Sequence, residues 1–320
     1  MPVRIAGFAA QSNQTLHFHS IQTGEAPRKI SGLRVVQGGL STVGEAYPFT
    51  LVDSQTGHPQ AIRLKDSWSD ESNGQLIYTF CLLDSAMREK LILVPKAQKS
   101  YVGSIGNIFQ ICSCVAVGGY TNAEVVSFGF PRATGDDFLP ALQAAWKRYG
   151  SFEVREKAPY GFDDKLKDGG VDIIAWRRFP DGHAGTFLMI VQVASGLDWK
   201  DKPVTDDVKS LKKWFQGNSF EHFTPAICIP FPLWFDLSEP THGRTGGKVN
   251  FNNGVLTRFE FREAKFGVIF DRGRIAHCCA AALKVPAEQR LPIDGLDRLG
   301  EVSSWVSGVM QHLSEKRAVT

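Results

Sequence analysis

The stretch Asp168–Gly196, DGGVDIIAWRRFPDGHAGTFLMIVQVASG, decides how this chain reads. It opens on a glycine-rich turn, Asp168-Gly169-Gly170, which delivers Asp172 into an otherwise apolar strand from Val171 to Trp176. Central strands exclude aspartate, because a buried carboxylate without a partner is costly. An acid retained there has a chemical task, and holding a metal ion is the commonest. A second apolar strand, Thr186 to Val193, ends on Gln192. The turn from Phe179 to Gly185 joins the two strands, so Asp172 and Gln192 are expected side by side. A carboxylate, an amide oxygen and the Val193 carbonyl suit a hard cation, with a substrate phosphate completing its shell.

Outward from this hairpin, Asp136 to Gly150 reads as a helix capped by Thr134-Gly135-Asp136, and Ser151 to Arg155 as a strand. Downstream, Thr205-Asp206-Asp207 caps a helix from Val208 to Phe215, with lysines at 209, 212 and 213. Pro225 to Pro230 and Phe266 to Phe270 read as short buried strands. Strands alternating with helices argue for an α/β layer with a mixed sheet. Residues 1 to about 130 differ in character and form an expected N-terminal α+β domain. This part has short β-like runs at Thr15 to Ile21, Leu33 to Val36 and Tyr47 to Val52. A helix is expected over Gln75 to Lys90, and Ile108 to Val117 is a second helix or a buried strand. The loop from Glu239 to Gly254 is rich in Gly, Asn and basic residues. The tail from Asp294 to Lys316 is an amphipathic helix that closes the fold or meets a partner.

Bulk properties exclude several classes. The 320 residues suffice for one large or two ordinary domains, and the 43% hydrophobic and 22% charged content is that of a globular protein. A net charge of +3 neither announces nucleic-acid binding nor forbids it. The six cysteines make no secreted disulfide framework. The amino terminus lacks the apolar core of a signal peptide, and no apolar run approaches bilayer-spanning length, so a cytoplasmic protein without a membrane partner is expected. No phosphate-binding glycine loop or nucleophile elbow is present.

Asp-Gly-Gly-Val-Asp, a hairpin and then a strand-end Gln resemble the Mrr-type branch of the PD-(D/E)XK nuclease superfamily, over roughly residues 130 to 275. The resemblance implies a restriction-endonuclease-like core with a central mixed sheet flanked by helices, placed in a domain spanning 131–320. It also implies Mg²⁺- or Mn²⁺-dependent cleavage of DNA or RNA, in a chain of the kind found in bacterial anti-phage defence operons and working with protein partners from the same operon. Two positions depart from the pattern: Ala194 stands where the catalytic lysine is expected, and Leu139 where the helix glutamate is expected. Lys200 is then the candidate relocated lysine, and Asp136 or Asp137 the substitute acid. The expected catalytic set is Asp172, Gln192 and Lys200. The expected metal ligands are Asp172, Gln192 and Asp137. Lys209, Lys212, Lys213, Arg272 and Arg274 are the expected nucleic-acid contacts. A catalytically degenerate fold, kept as a nucleic-acid-binding or assembly subunit, is the competing expectation.

Each residue has a plainer reading. Asp172 caps or ion-pairs, Gln192 bonds backbone, Lys200 is a solvated loop lysine, and Arg272 and Arg274 pair with Asp271. Trp199 stacks a base or covers the core. Glu153, Glu156, Asp163 and Asp164 are ordinary surface acids. His17-x-His19 lacks a third ligand, and Cys112-x-Cys114 with His277-Cys278-Cys279 lacks zinc-site spacing.

Overall fold

A computed structural model describes residues 15–17, 43–53, 59–69, 74–92, 99–132, 134–162, 166–183, 185–233 and 260–315. The expected strand over 33–36, His19, Asp163, Asp164 and the loop over 239–254 lie outside the described residues. The chain divides into two compact units: Met1–Asn122 with Arg272–Thr320, and Ala123–Asp271. This differs from the expected division into 1–130 and 131–320, because the carboxy-terminal helices cluster with the N-terminal part.

In the first unit, β1 (Thr15–His17), β2 (Phe49–Asp53) and β3 (Pro59–Leu64) form an antiparallel sheet in the order β1-β3-β2. Helix α1 (Gln75–Arg88) forms where the apolar spacing places it. Helix α2 (Lys99–Thr121) resolves the ambiguity over 108–117 in favour of helix. It is longer than the sequence suggested: Tyr101–Thr121 is apolar and long enough to cross a membrane by length and composition. The expectation that no run reaches that length is therefore corrected. Most of this stretch is buried inside the fold, as in a core helix.

The second unit holds β4 (Glu124–Ser127), α3 (Phe138–Tyr149), β5 (Ile173–Arg177) and β6 (Phe187–Val193), then α4 (Val204–Lys212), β7 (Thr224–Cys228) and β8 (Val268–Phe270). Its architecture is mixed α/β, with a five-stranded mixed sheet in the order β4-β5-β6-β7-β8. β4, β5 and β6 run antiparallel to their neighbours, and β6, β7 and β8 run parallel. The expected strand over Ser151–Arg155 is absent; Val154 makes only an isolated bridge to Phe215, and β4 takes the place beside β5. Helix α4 starts earlier than expected, because the Pro203 carbonyl accepts the first-turn N–H groups of Asp206 and Asp207 at 2.9 and 3.0 Å. Side chains alternate along a strand, so Ile174, Trp176, Leu188 and Ile190 share one face. That face packs on Phe138, Leu142 and Trp146 of α3 and on Val208 and Leu211 of α4.

The chain then returns to the first unit as α5 (Arg272–Lys284) and α6 (Leu299–Glu315). Helices α2 and α5 pack closely enough that a Cβ on Gly119 would collide with the Cys278 carbonyl. Helix α6 buries its apolar face within this unit: Trp305 meets Phe80 edge-on at 5.0 Å, and its indole N–H donates to the Tyr101 carbonyl at 3.0 Å. All six cysteines are buried free thiols. Burial pushes the Cys112 thiol well above its ordinary value, with Cys81 and Cys279 adding to the effect.

Candidate functional site

β5 runs antiparallel to both neighbours, so its start meets the ends of β4 and β6 at one end of the sheet. Asp172 sits one residue before β5, not inside it as the sequence suggested. Its backbone N–H donates to the Val191 carbonyl at 2.9 Å, and its own carbonyl accepts from Phe128 and Gly129 at 2.7 and 2.9 Å. The Asp172 carboxylate turns toward β6 and accepts the Val193 N–H at 2.7 Å. Gln192 continues the Leu188–Ile190 face, so its side chain lies on the α4 side of the sheet. There its amide N–H donates to Asp207 Oδ2 at 3.3 Å. The two hairpin residues expected together are therefore together, on adjacent elements.

Two further acids complete the cluster. Asp168 accepts the Gly170 N–H at 2.9 Å, closing the turn that leads into Asp172. Gly170 has φ +78°, and a Cβ on it would run into the Asp207 carboxylate. Glycine at this position is what lets α4 bring Asp207 down onto the turn. The electrostatics follow from this crowding. Burial, above all, pushes the Asp172 carboxyl up to about 7; the Val193 hydrogen bond and Lys202 oppose the shift, while Asp168 and Asp207 reinforce it. Burial likewise raises Asp207, with Asp168 and Asp206 adding and Gln192 and Lys202 opposing. Lys202, half-buried just before α4, is the cation acting on both carboxylates.

Gln192 is 7% exposed, and its Oε1 has no hydrogen-bond partner among the described residues. A buried acceptor left unpaired costs about 1–3 kcal/mol, so its presence beside two carboxylates calls for a counterpart. Among the described residues no three His, Cys, Asp or Glu side chains converge as a complete metal-holding group. Two carboxylates and one amide oxygen are nonetheless a donor set of the kind Mg²⁺ takes, since it keeps waters and shares substrate phosphate. Asp172, Asp207 and Gln192 Oε1 are the residues that would hold it.

The other expected residues fall elsewhere. Lys200 is exposed, and its carbonyl accepts the Lys265 ammonium. Trp199 packs on Phe266 at 5.5 Å within a core containing Ala194, Val204 and Ile227, so it covers the core. Asp137 is an exposed N-cap whose charge acts on Arg132. Lys209 pairs with Asp206 at 2.8 Å. Lys212 pairs with Glu221 at 3.0 Å and lies over Phe220 and Phe223. Lys213 is exposed, over the Phe162 ring. Arg272 is corrected as a phosphate contact. It is buried in the first unit, where its guanidinium donates to Ser85 Oγ at 2.6 Å and lies over Tyr78. Arg274 is exposed on the same helix. Sequence reasoning missed Asp207 and Lys202. The signal for Asp207 was the two-residue period from Leu188 through Ile190 to Gln192, which points Gln192 at the helix that follows.

No family model, curated protein or solved structure matches this chain. Its chemistry must be read from the cluster itself.

Proposed function

We propose that the second unit is a metal-dependent nuclease with a restriction-endonuclease-like core, hydrolysing phosphodiester bonds in DNA or RNA. One observation carries the reading: the buried Gln192 Oε1, without a hydrogen-bond partner among the described residues, beside the crowded carboxylates of Asp172 and Asp207. The order α3, β5, β6, α4, β7, with the acids at the hairpin's open end, supports the core assignment. When bound, a divalent cation would supply Lewis-acid activation of water and neutralise phosphate charge. Asp172 and Asp207 would fix its place, and the Val193 N–H keeps the Asp172 carboxylate oriented. Lys202, whose charge acts on both acids, would offset the negative charge that builds on the phosphoryl oxygens as the water oxygen bonds to phosphorus and the P–O bond to the leaving group breaks. The leaving oxygen takes up a proton, and the attacking water gives one up. Work in an anti-phage defence system with operon-encoded partners is part of this proposal and rests on the resemblance alone.

A second reading is favoured by Ala194, 2% exposed and packed in the core where a catalytic lysine would stand. On that reading the fold is a degenerate nuclease kept as a binding or assembly subunit. Labelled DNA and RNA incubated with the purified chain in Mg²⁺, Mn²⁺ or EDTA separate the two. Metal-dependent cleavage abolished by Asp172→Ala supports the nuclease. Binding without cleavage in every metal, alone and with operon partners, supports the alternative.

A further inference from the structure

We infer that Phe130 and Lys167 form a docking platform for an unpaired nucleotide at the rim of the carboxylate cluster. The inference deepens the nuclease reading and rests on it for the position of the reacting phosphate. The N–H groups of Phe128 and Gly129 both bond the Asp172 carbonyl, which fixes the start of the segment beside the cluster. Phe130, the next residue, is 52% exposed. The exposed rings of the β5–β6 hairpin, Phe179 and Phe187, lie at its far end from Asp172. The Lys167 ammonium lies over one face of the Phe130 ring, 5.7 Å from its centroid, so a base would stack on the other face; Lys167 precedes Asp168 of the cluster. Arg132 ties the two segments together: its guanidinium donates to the Asp136 carbonyl at 3.2 Å and to the Lys167 carbonyl, and it lies over Phe128. Arg132 is therefore a positioning residue, surrounded by Asp168, Asp136 and Asp137.

An exposed aromatic face with an adjacent ammonium matches one nucleotide of a single strand, the base on the ring and the phosphate on the lysine. In a duplex the base faces are already stacked, so the platform selects unpaired strands. The test uses the full chain carrying Asp172→Asn in EDTA, so that binding is read without reaction. Fluorescence anisotropy compares labelled oligothymidylate and oligouridylate with a duplex of equal length. Unpaired strands are expected to bind more tightly than duplex, and Phe130→Ala should weaken them by about tenfold or more, leaving duplex binding unchanged. Phe130→Trp should restore the affinity, with its fluorescence quenched on binding; Lys167→Ala should lower the salt dependence. Unchanged single-strand affinity in Phe130→Ala, or a preference for duplex, overturns the inference. Phe130-dependent binding by a chain that cleaves nothing in any metal would overturn the nuclease reading and leave this one standing. Metal-dependent cleavage with no effect of Phe130→Ala would do the reverse.

Discussion

Replacing Asp172 with asparagine should make the protein more stable at neutral pH while removing its function. In an unfolded chain this carboxyl titrates at the ordinary value of 3.8, whereas burial holds it at about 7 in the folded chain. Between these values the folded state binds more protons than the unfolded state, so stability falls as pH rises from about 4 to about 7, and the loss is complete above that. At about 1.4 kcal/mol per tenfold, the cost of keeping Asp172 is roughly 4 kcal/mol at pH 8 and between about 1 and 2 kcal/mol at pH 5. Asparagine has the same shape, carries no charge and still accepts the Val193 N–H, although that bond weakens by about 1 kcal/mol. A net gain of about 2–3 kcal/mol at pH 8 corresponds to a melting temperature higher by roughly 4–12 °C. Thermal unfolding followed by circular dichroism in EDTA, at pH 5 and pH 8, measures both halves of the claim. Adding Mg²⁺ at pH 8 should raise the melting temperature of the parent and leave that of the variant where it was. A variant that melts below its parent at pH 8, or gains equally at both pH values, refutes the reasoning.

The hairpin was legible because its signals are local. Alternation and apolar runs locate β5 and β6, the Asp168–Gly170 turn fixes the entry, and antiparallel pairing brings Asp172 to Gln192. The rest depends on tertiary geometry. Asp207 belongs to the cluster because Gly170 leaves room for its carboxylate, and its position after Asp206 looks from sequence like ordinary helix-dipole chemistry. Lys200 and Lys202 are two residues apart, and only the 3-10 turn over Trp199–Asp201 decides which one belongs with the acids. Arg272 follows a strand end, a common place for a phosphate contact, yet helix α5 carries it into the other unit and buries it against Ser85. The failed strand at Ser151–Arg155 has a similar cause. β4 already occupies the edge beside β5, so those residues have no sheet edge to join there. Domain division was illegible for the same reason: returning helices carry no sequence mark of which core they will complete.

Three further substitutions probe the cluster. Gln192→Leu removes a buried acceptor that has no partner among the described residues, so stability should change by no more than about 1 kcal/mol while Mn²⁺ affinity, read by calorimetry, falls by about tenfold or more. Gly170→Ala places a methyl group where the Asp207 carboxylate lies, on backbone at φ +78°. It should destabilise by about 1–3 kcal/mol in denaturant titration and weaken Mn²⁺ binding in the same protein. The two lysines give the sharpest contrast. Lys202→Met removes the cation that acts on both Asp172 and Asp207, whereas Lys200→Met removes a solvated charge. Cleavage should fall by about a hundredfold in the first and by less than about twofold in the second. Loss of Lys202 also removes a positive charge that acts on both acids, so Mn²⁺ should bind the Lys202→Met chain at least as tightly as the parent. Tighter metal binding joined to slower cleavage cannot come from unfolding, and it separates a lysine that serves the reacting phosphate from one that merely supports the fold. Equal cleavage by the two variants, or weaker Mn²⁺ binding by Lys202→Met, would remove Lys202 from the site.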